Sequence, residues 1–144
     1  MSRHDPRRLD PAAYPWTVEI DTRFGDMDVN FHLNNVAVAG LYEEARVRFN
    51  WHVRDRYPAV GRPHFLVAHV GIDYLGEGKY RVPTSVGVAV LSTGTSSWRV
   101  AMGLFQPGGC IGLCESVMVH RGDAGPAPLP EALRVALGDF APRP

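Results

Sequence analysis

Apolar and polar residues begin to alternate at Trp16. Trp16, Val18 and Ile20 fall on one side of the chain and Thr17, Glu19 and Asp21 on the other. That period of two predicts a half-buried strand over residues 16–23. The period changes at Asn35. Val38, Leu41, Tyr42, Ala45, Phe49 and Val53 recur at helical spacing, and Glu43, Glu44, Arg46, Arg48 and Asn50 occupy the opposite face. Asn34 or Asn35 is the N-cap, and Pro58 and Gly61 end the helix. A helix of about 18 to 20 residues is about 27 to 30 Å long. It is the one long helix that the pattern contains.

Beyond it the period returns to two. Residues 65–74 place Leu66, Ala68, Val70, Ile72 and Tyr74 on one face. Residues 80–91 do the same with Val82, Thr84, Val86, Val88 and Val90, and residues 96–106 with Trp98, Val100, Met102 and Leu104. Residues 110–120 present Ile111, Leu113, Val117 and Val119, with Glu115 among them. Short Gly-containing turns at 76–79, 92–95 and 107–109 separate these segments, which predicts an antiparallel meander. A short closing helix is expected over residues 130–137, with Pro130 in its first turn and Gly138 past its end. Residues 1–15, charged and proline-containing, read as a flexible arm ahead of one domain spanning 16–144.

Helix and strands are segregated along the chain, so the class is α+β. A single sheet curled around one helix leaves an outer face and two edges uncovered, which favours self-association.

Composition narrows the partners. The 144 residues are 45% apolar and 21% charged with zero net charge, enough for one packed core and without the basic excess of a nucleic-acid binder. No apolar run reaches the ~18 residues of a membrane span. No secretory segment precedes the fold, so a cytoplasmic location is expected. Cys110 and Cys114, on one strand, would face the same way too far apart for a disulfide, and lack the further ligands of a zinc site. No metal is expected.

The chemistry concentrates in residues 24–34, FGDMDVNFHLN, directly before the helix. A carboxylate held at a helix N-terminus faces unpaired backbone N–H groups and the positive end of the helix dipole. Asp26 and Asp28 are the candidate acids, His32 a candidate orienting group, and Asn34 and Asn35 candidate caps.

The pattern F-G-D-M-D at 24–28, followed by His32, Asn34-Asn35 and Glu43-Glu44-Ala45-Arg46, resembles the hotdog-fold acyl-CoA thioesterases of the 4-hydroxybenzoyl-CoA thioesterase type. The resemblance runs over residues 16–119. It implies an antiparallel sheet of five to six strands wrapped around one long central helix. It further implies a homodimer or homotetramer with the site between subunits, and an acyl-CoA substrate with no separate cofactor, because coenzyme A is part of the substrate. By position, Asp28 matches the catalytic carboxylate and Asn35 the residue whose N–H polarises the thioester carbonyl. His32, Asn34 and Phe31 line the loop, Ser97 and Arg99 lie on the strand that meets the coenzyme, and Glu115 would face an Arg across the dimer. Phe31 stands where many members have Gly, and Val38 where many have an aromatic residue.

Thioester hydrolysis needs a nucleophile and a place for negative charge. Asp28 supplies the first as general base or as direct nucleophile, and the helix start supplies the second. Two other outcomes use the same residues. Hydration of an acyl thioester would pair a carboxylate with His32, and a non-catalytic protein would bind acyl-CoA or acyl-carrier protein without turnover.

Overall fold

The computed structural model describes all 144 residues, Met1–Pro144. A six-stranded antiparallel sheet curls around a 22-residue helix. Strand β1 (Trp16–Glu19) is followed by helix α1 (Asn35–Arg56), then β2 (His64–Tyr74), β3 (Ser85–Thr93), β4 (Ser97–Gln106), β5 (Gly109–Gly122), the two-residue β6 (Gly125–Pro126) and a closing helix α2 (Glu131–Gly138). This is the α+β hotdog arrangement that the family resemblance implied.

Helix α1 starts where a cap is available. The Asn34 side-chain oxygen accepts the Val36 N–H at 2.7 Å while Asn34 itself stays extended. The helix stops at Tyr57, because the residue before Pro58 is pushed out of helical geometry. Gly61 then turns the chain with φ 68°, in the left-handed region that glycine enters freely. Its inner face buries Tyr42, Ala45, Phe49 and Val53 against Val86, Val88, Val100, Met102 and Leu104 of the sheet.

The strand order is β1-β3-β4-β5-β2, which corrects the expected four-strand meander. Only β3, β4 and β5 form consecutive hairpins; β2 lies on the far side of β5. Residues 75–84 are therefore not a hairpin turn but a link crossing one end of the sheet. Strand β3 also begins later than expected, because Pro83 has no N–H for the ladder and Arg81 takes a positive φ of 61°. The sheet keeps two open edges, β1 and β2, and β2 carries exposed Leu66, Val67, Val70 and Tyr74.

The core face of β5 is the opposite of the one expected. Cys114, Ser116 and Met118 point inward, whereas Leu113, Glu115 and Val117 point outward. A register shift between Leu104 and Phe105 sets this phase and separates the cysteines, with Cys114 in the main core and Cys110 against the outer face.

Outward-facing apolar residues are explained by what covers them. Residues 1–15, expected as a flexible arm, pack across the outer face of the sheet. Two 3-10 turns at Pro6–Leu9 and Pro11–Ala13 lead into Tyr14, which is buried with Ala89, Ala101 and Phe105. Gly87 and Gly103 make room for Tyr14; a Cβ on either would come within 2.6 and 2.8 Å of its atoms. Arg8 is 1% exposed and donates to Glu115 Oε1 at 2.7 Å and to the Cys114 carbonyl at 3.1 Å. Arg99 donates to the other Glu115 oxygen at 2.9 Å. Glu115 is thus paired twice within its own chain. No helix is long and apolar enough to cross a membrane.

Candidate active site

Residues 24–34 form a compact, cross-braced loop. Asp26 is buried, and its carboxylate accepts the Arg23 backbone N–H at 2.8 Å and the Arg23 guanidinium at 2.9 Å. Burial favours protonation of Asp26, but these bonds outweigh it and hold the group below the usual carboxylate range. Its backbone carbonyl accepts the Asn34 N–H at 2.8 Å, which fixes the residue that caps α1. Asp26 thus braces the loop from inside.

Asp28 closes the tip of the loop. Its N–H donates to the His32 carbonyl at 2.9 Å and its carbonyl accepts the Phe31 N–H at 3.1 Å. Oδ1 accepts the N–H of Asn30 at 2.8 Å and of His32 at 3.4 Å. Oδ2 has no partner within the chain. The turn requires a left-handed residue at position 31, and Phe31 supplies it with φ 60°. The backbone conformation that glycine usually provides is therefore kept, and the cost is a phenyl ring left 77% exposed at the loop tip.

Asp28 and Asn35 line one hollow of about 260 Å³, together with His32, Val38, Tyr74 and Ile111. Asn35 is the first residue of α1, and its N–H has no partner in the chain, as expected for an N-terminal amide. The hollow is therefore lined by one residue with an unbonded carboxylate oxygen and one with an unbonded helix N–H. Leu33, Val38 and Ile111 give it an apolar wall. His32 is held by another carboxylate: its Nε2 lies 3.0 Å from Glu77 Oε2 in the link after β2. The one carboxylate paired with the His32 ring is therefore that of Glu77, not that of Asp28.

Three residues that frame the hollow carry no local pattern that marks them. Tyr74 donates its hydroxyl to the Asn35 carbonyl at 3.3 Å, tying the edge strand to the helix start. The Gly78 carbonyl accepts the Leu33 N–H at 2.8 Å, and Glu77 holds His32. All three lie some forty residues from the loop in sequence, and the one signal for them is the GEG turn at the end of a strand.

Asn34 serves as the cap and faces a neighbouring groove of about 660 Å³ beside Ile20, Arg23, Val36 and Gly40, not the hollow that contains Asp28. Ser97 and Arg99 are not near the hollow of their own chain. Arg99 lies opposite Val117 on β5, six residues from Ile111. That is about 20 Å of extended strand. Both residues sit at the opposite end of the sheet. No group of three or more His, Cys, Asp or Glu side chains is arranged to hold a metal ion.

A family model described as the thioesterase-like superfamily matches residues 22–137, which include the loop, α1 and all of the sheet except β1. Among solved structures, a thioesterase from Thermus thermophilus, crystallised with coenzyme A and zinc, is 32% identical; the match covers 86% of this chain and 98% of that one with a TM-score of 0.76. A predicted thioesterase from Bacillus stearothermophilus is 24% identical over 90% of this chain and 98% of that one, with a TM-score of 0.78. A 1,4-dihydroxy-2-naphthoyl-CoA thioesterase from Synechocystis is 15% identical over 86% and 98%, with a TM-score of 0.73. These last two likenesses establish the fold. No curated protein sequence matches. The chain belongs to the thioesterase-like superfamily, a family of thioester hydrolases.

Proposed function

We propose that this chain hydrolyses acyl-CoA thioesters to a free carboxylic acid and coenzyme A, with Asp28 and the Asn35 N–H as the reacting groups. One observation carries the reading. Asp28 Oδ2 and the Asn35 N–H are both unbonded, and their residues line the same hollow. The thioester carbonyl oxygen would point at the helix start, where its developing negative charge meets the N–H and the dipole. One such donor is typically worth about 3 to 4 kcal/mol of barrier. Asp28 Oδ2 would then either attack the carbonyl carbon, expelling the coenzyme A thiolate and leaving an anhydride that water hydrolyses to the free acid, or take a proton from a water that attacks the carbon and expels the same thiolate. Oδ1 is committed to the loop, so a single oxygen is presented and its aim is fixed.

The hollow is small for an acyl group plus pantetheine, and the open β2 edge supports a second subunit as the missing wall. Two copies joined antiparallel through β2 would bring the Ser97 and Arg99 end of one sheet to the Asp28 end of the other. In that arrangement the partner's Ser97 and the partner's Arg99 contact the coenzyme, while Phe31 and His32 border the substrate and Asn34 acts as the cap of the helix that polarises it. The Thermus relative crystallised with coenzyme A supports coenzyme A as the carrier. Both cysteines are free thiols, which supports a reducing cytoplasm. The test is thiol release from a panel of short, medium, long and aromatic acyl-CoAs. Turnover of at least one class is expected, and no turnover of any would overturn the proposal.

A further inference from the structure

Two acidic residues line the hollow, Asp28 and Glu77, together with one histidine, His32. Glu77 is paired with the His32 ring, Oε2 to Nε2 at 3.0 Å. The pair is open to water: the Glu77 side chain is 73% exposed and that of His32 33%. A pair so exposed adds little to stability. Both backbones are nevertheless held in place. The Gly76 N–H donates to the Ile111 carbonyl at 3.2 Å and the Gly78 carbonyl accepts the Leu33 N–H at 2.8 Å, so Glu77 sits on a braced tip. The His32 carbonyl accepts the Asp28 N–H at 2.9 Å, and the His32 N–H donates to Asp28 Oδ1 at 3.4 Å. The turn that aims Asp28 therefore also sets where the imidazole starts.

The contact selects one form of the ring. An ionised Glu77 only accepts, so His32 Nε2 carries the hydrogen. In the neutral ring Nδ1 then holds the lone pair, and it has no hydrogen bond within the chain. A carboxylate that orients an imidazole and leaves its second nitrogen free to take a proton is the arrangement of a general base. Hydrolysis has a use for one. Asp28 has one free carboxylate oxygen. Once that oxygen has attacked the thioester carbon it is bound in the anhydride, and it takes no proton from the water that follows.

We propose that His32 is the general base for the hydrolytic water and that Glu77 is its positioning residue, with Asp28 as the nucleophile. Asp28 Oδ2 bonds to the thioester carbon and the carbon–sulfur bond breaks, releasing coenzyme A thiolate. Water then attacks the acyl carbon of the anhydride while His32 Nδ1 takes its proton. The bond from that carbon to Asp28 breaks, the Asp28 carboxylate is restored, and His32 passes the proton to solvent. The inference rests on the thioester-hydrolase reading of the hollow.

Rapid-mixing kinetics of His32→Gln, Glu77→Gln and the double variant on the best acyl-CoA of the panel tests it. Both side chains reach solvent and the loop is tied by backbone bonds, so the variants keep the fold. His32→Gln is expected to release one equivalent of thiol per site in a burst, followed by turnover about a hundredfold slower than wild type. During the slow phase one acyl group is expected, by mass, on the peptide that contains Asp28. Glu77→Gln is expected to keep the burst and to lower kcat about tenfold, with KM falling alongside because only the step after acylation is slowed. In the His32→Gln background it is expected to cost nothing further. His32→Gln turnover that slows without a burst, or that stays at the wild-type rate, would overturn the role of His32. Additive losses in the double variant would overturn Glu77 as its positioning residue. A wild type that hydrolyses no acyl-CoA would overturn the thioester-hydrolase reading, and this assignment with it.

Discussion

The Gly78 carbonyl accepts the Leu33 N–H at 2.8 Å, joining the link after β2 to the loop that carries Asp28. The approach is so close that a Cβ on Gly78 would stand 2.6 Å from Leu33 Cδ1 and 3.1 Å from Ile111 Cδ1. Leu33 and Ile111 both line the hollow. Gly78→Ala is therefore expected to push on the site as well as on the core. A stability loss of about 1 to 3 kcal/mol by urea unfolding is expected, together with reduced thioester turnover. A variant as stable and active as wild type would show that the loop does not depend on this contact.

Phe31 tests the loop from the other direction. At φ 60° a residue with a Cβ is strained, and this ring gains little burial in return. Phe31→Gly is expected to hold the same turn and to change stability by no more than about 1 kcal/mol, with a gain more in keeping with the geometry than a loss. Any loss of activity would then reflect the missing ring at the mouth of the hollow. A clear fall in unfolding midpoint would mean that the ring packs on something in the native assembly.

Arg8 tests the cover on the outer face. Its guanidinium is buried against Glu115 and the Cys114 carbonyl, and its own carbonyl accepts the Tyr14 hydroxyl at 2.9 Å. Arg8→Met keeps the stem and removes the charge, at an expected cost of about 3 kcal/mol in denaturant unfolding. Proteolytic cleavage near the N-terminus should appear in the variant and not in wild type. Equal stability and equal resistance would mean that residues 1–15 contribute nothing to the fold.

Asp26 gives the pH dependence its sign. Its folded-state pKa is depressed, so the stability that it supplies is fully present above the ordinary carboxylate value. It is lost as pH falls through the folded value. Wild type should melt above Asp26→Asn at neutral pH, and the gap should narrow below about pH 4. A gap independent of pH would remove Asp26 as the source.

Subunit mixing tests whether the site is shared. Asp28→Asn and Arg99→Glu variants are each expected to be impaired on their own. If the partner's Arg99 completes the site, exchanging subunits between them restores one intact site per heterodimer, or roughly a quarter of wild-type activity in a random mixture. No recovery would place Asp28 and Arg99 in separate roles.

The parts of this molecule legible in its sequence are those governed by local spacing. Helix α1 follows from apolar residues every three or four positions, and its start from an Asn that the structure uses as the cap. Asp28 and Asn35 stand out because a carboxylate just before a helix is a local feature, and one hollow does contain both. Strand order is not local. Nothing in the periodicity of residues 65–74 distinguishes pairing with β3 from pairing with β5, so periodicity alone predicts a meander one strand too long. The face of β5 escapes the periodicity for a related reason. Leu113 and Val117 look like core residues, and Leu113 is buried, but beneath residues 1–15 rather than against the helix. Tyr74 and Gly78 reach the site only through contacts spanning some forty residues.

The most direct test of the central claim is the steady-state rate of Asp28→Asn on the best acyl-CoA of the panel. The substitution keeps the oxygen that accepts the Asn30 and His32 N–H groups and removes the charge, so the fold should persist by circular dichroism and melting temperature. A fall in kcat of about a hundredfold or more, with the fold intact, is the predicted result. A folded D28N enzyme turning over at the wild-type rate would contradict it.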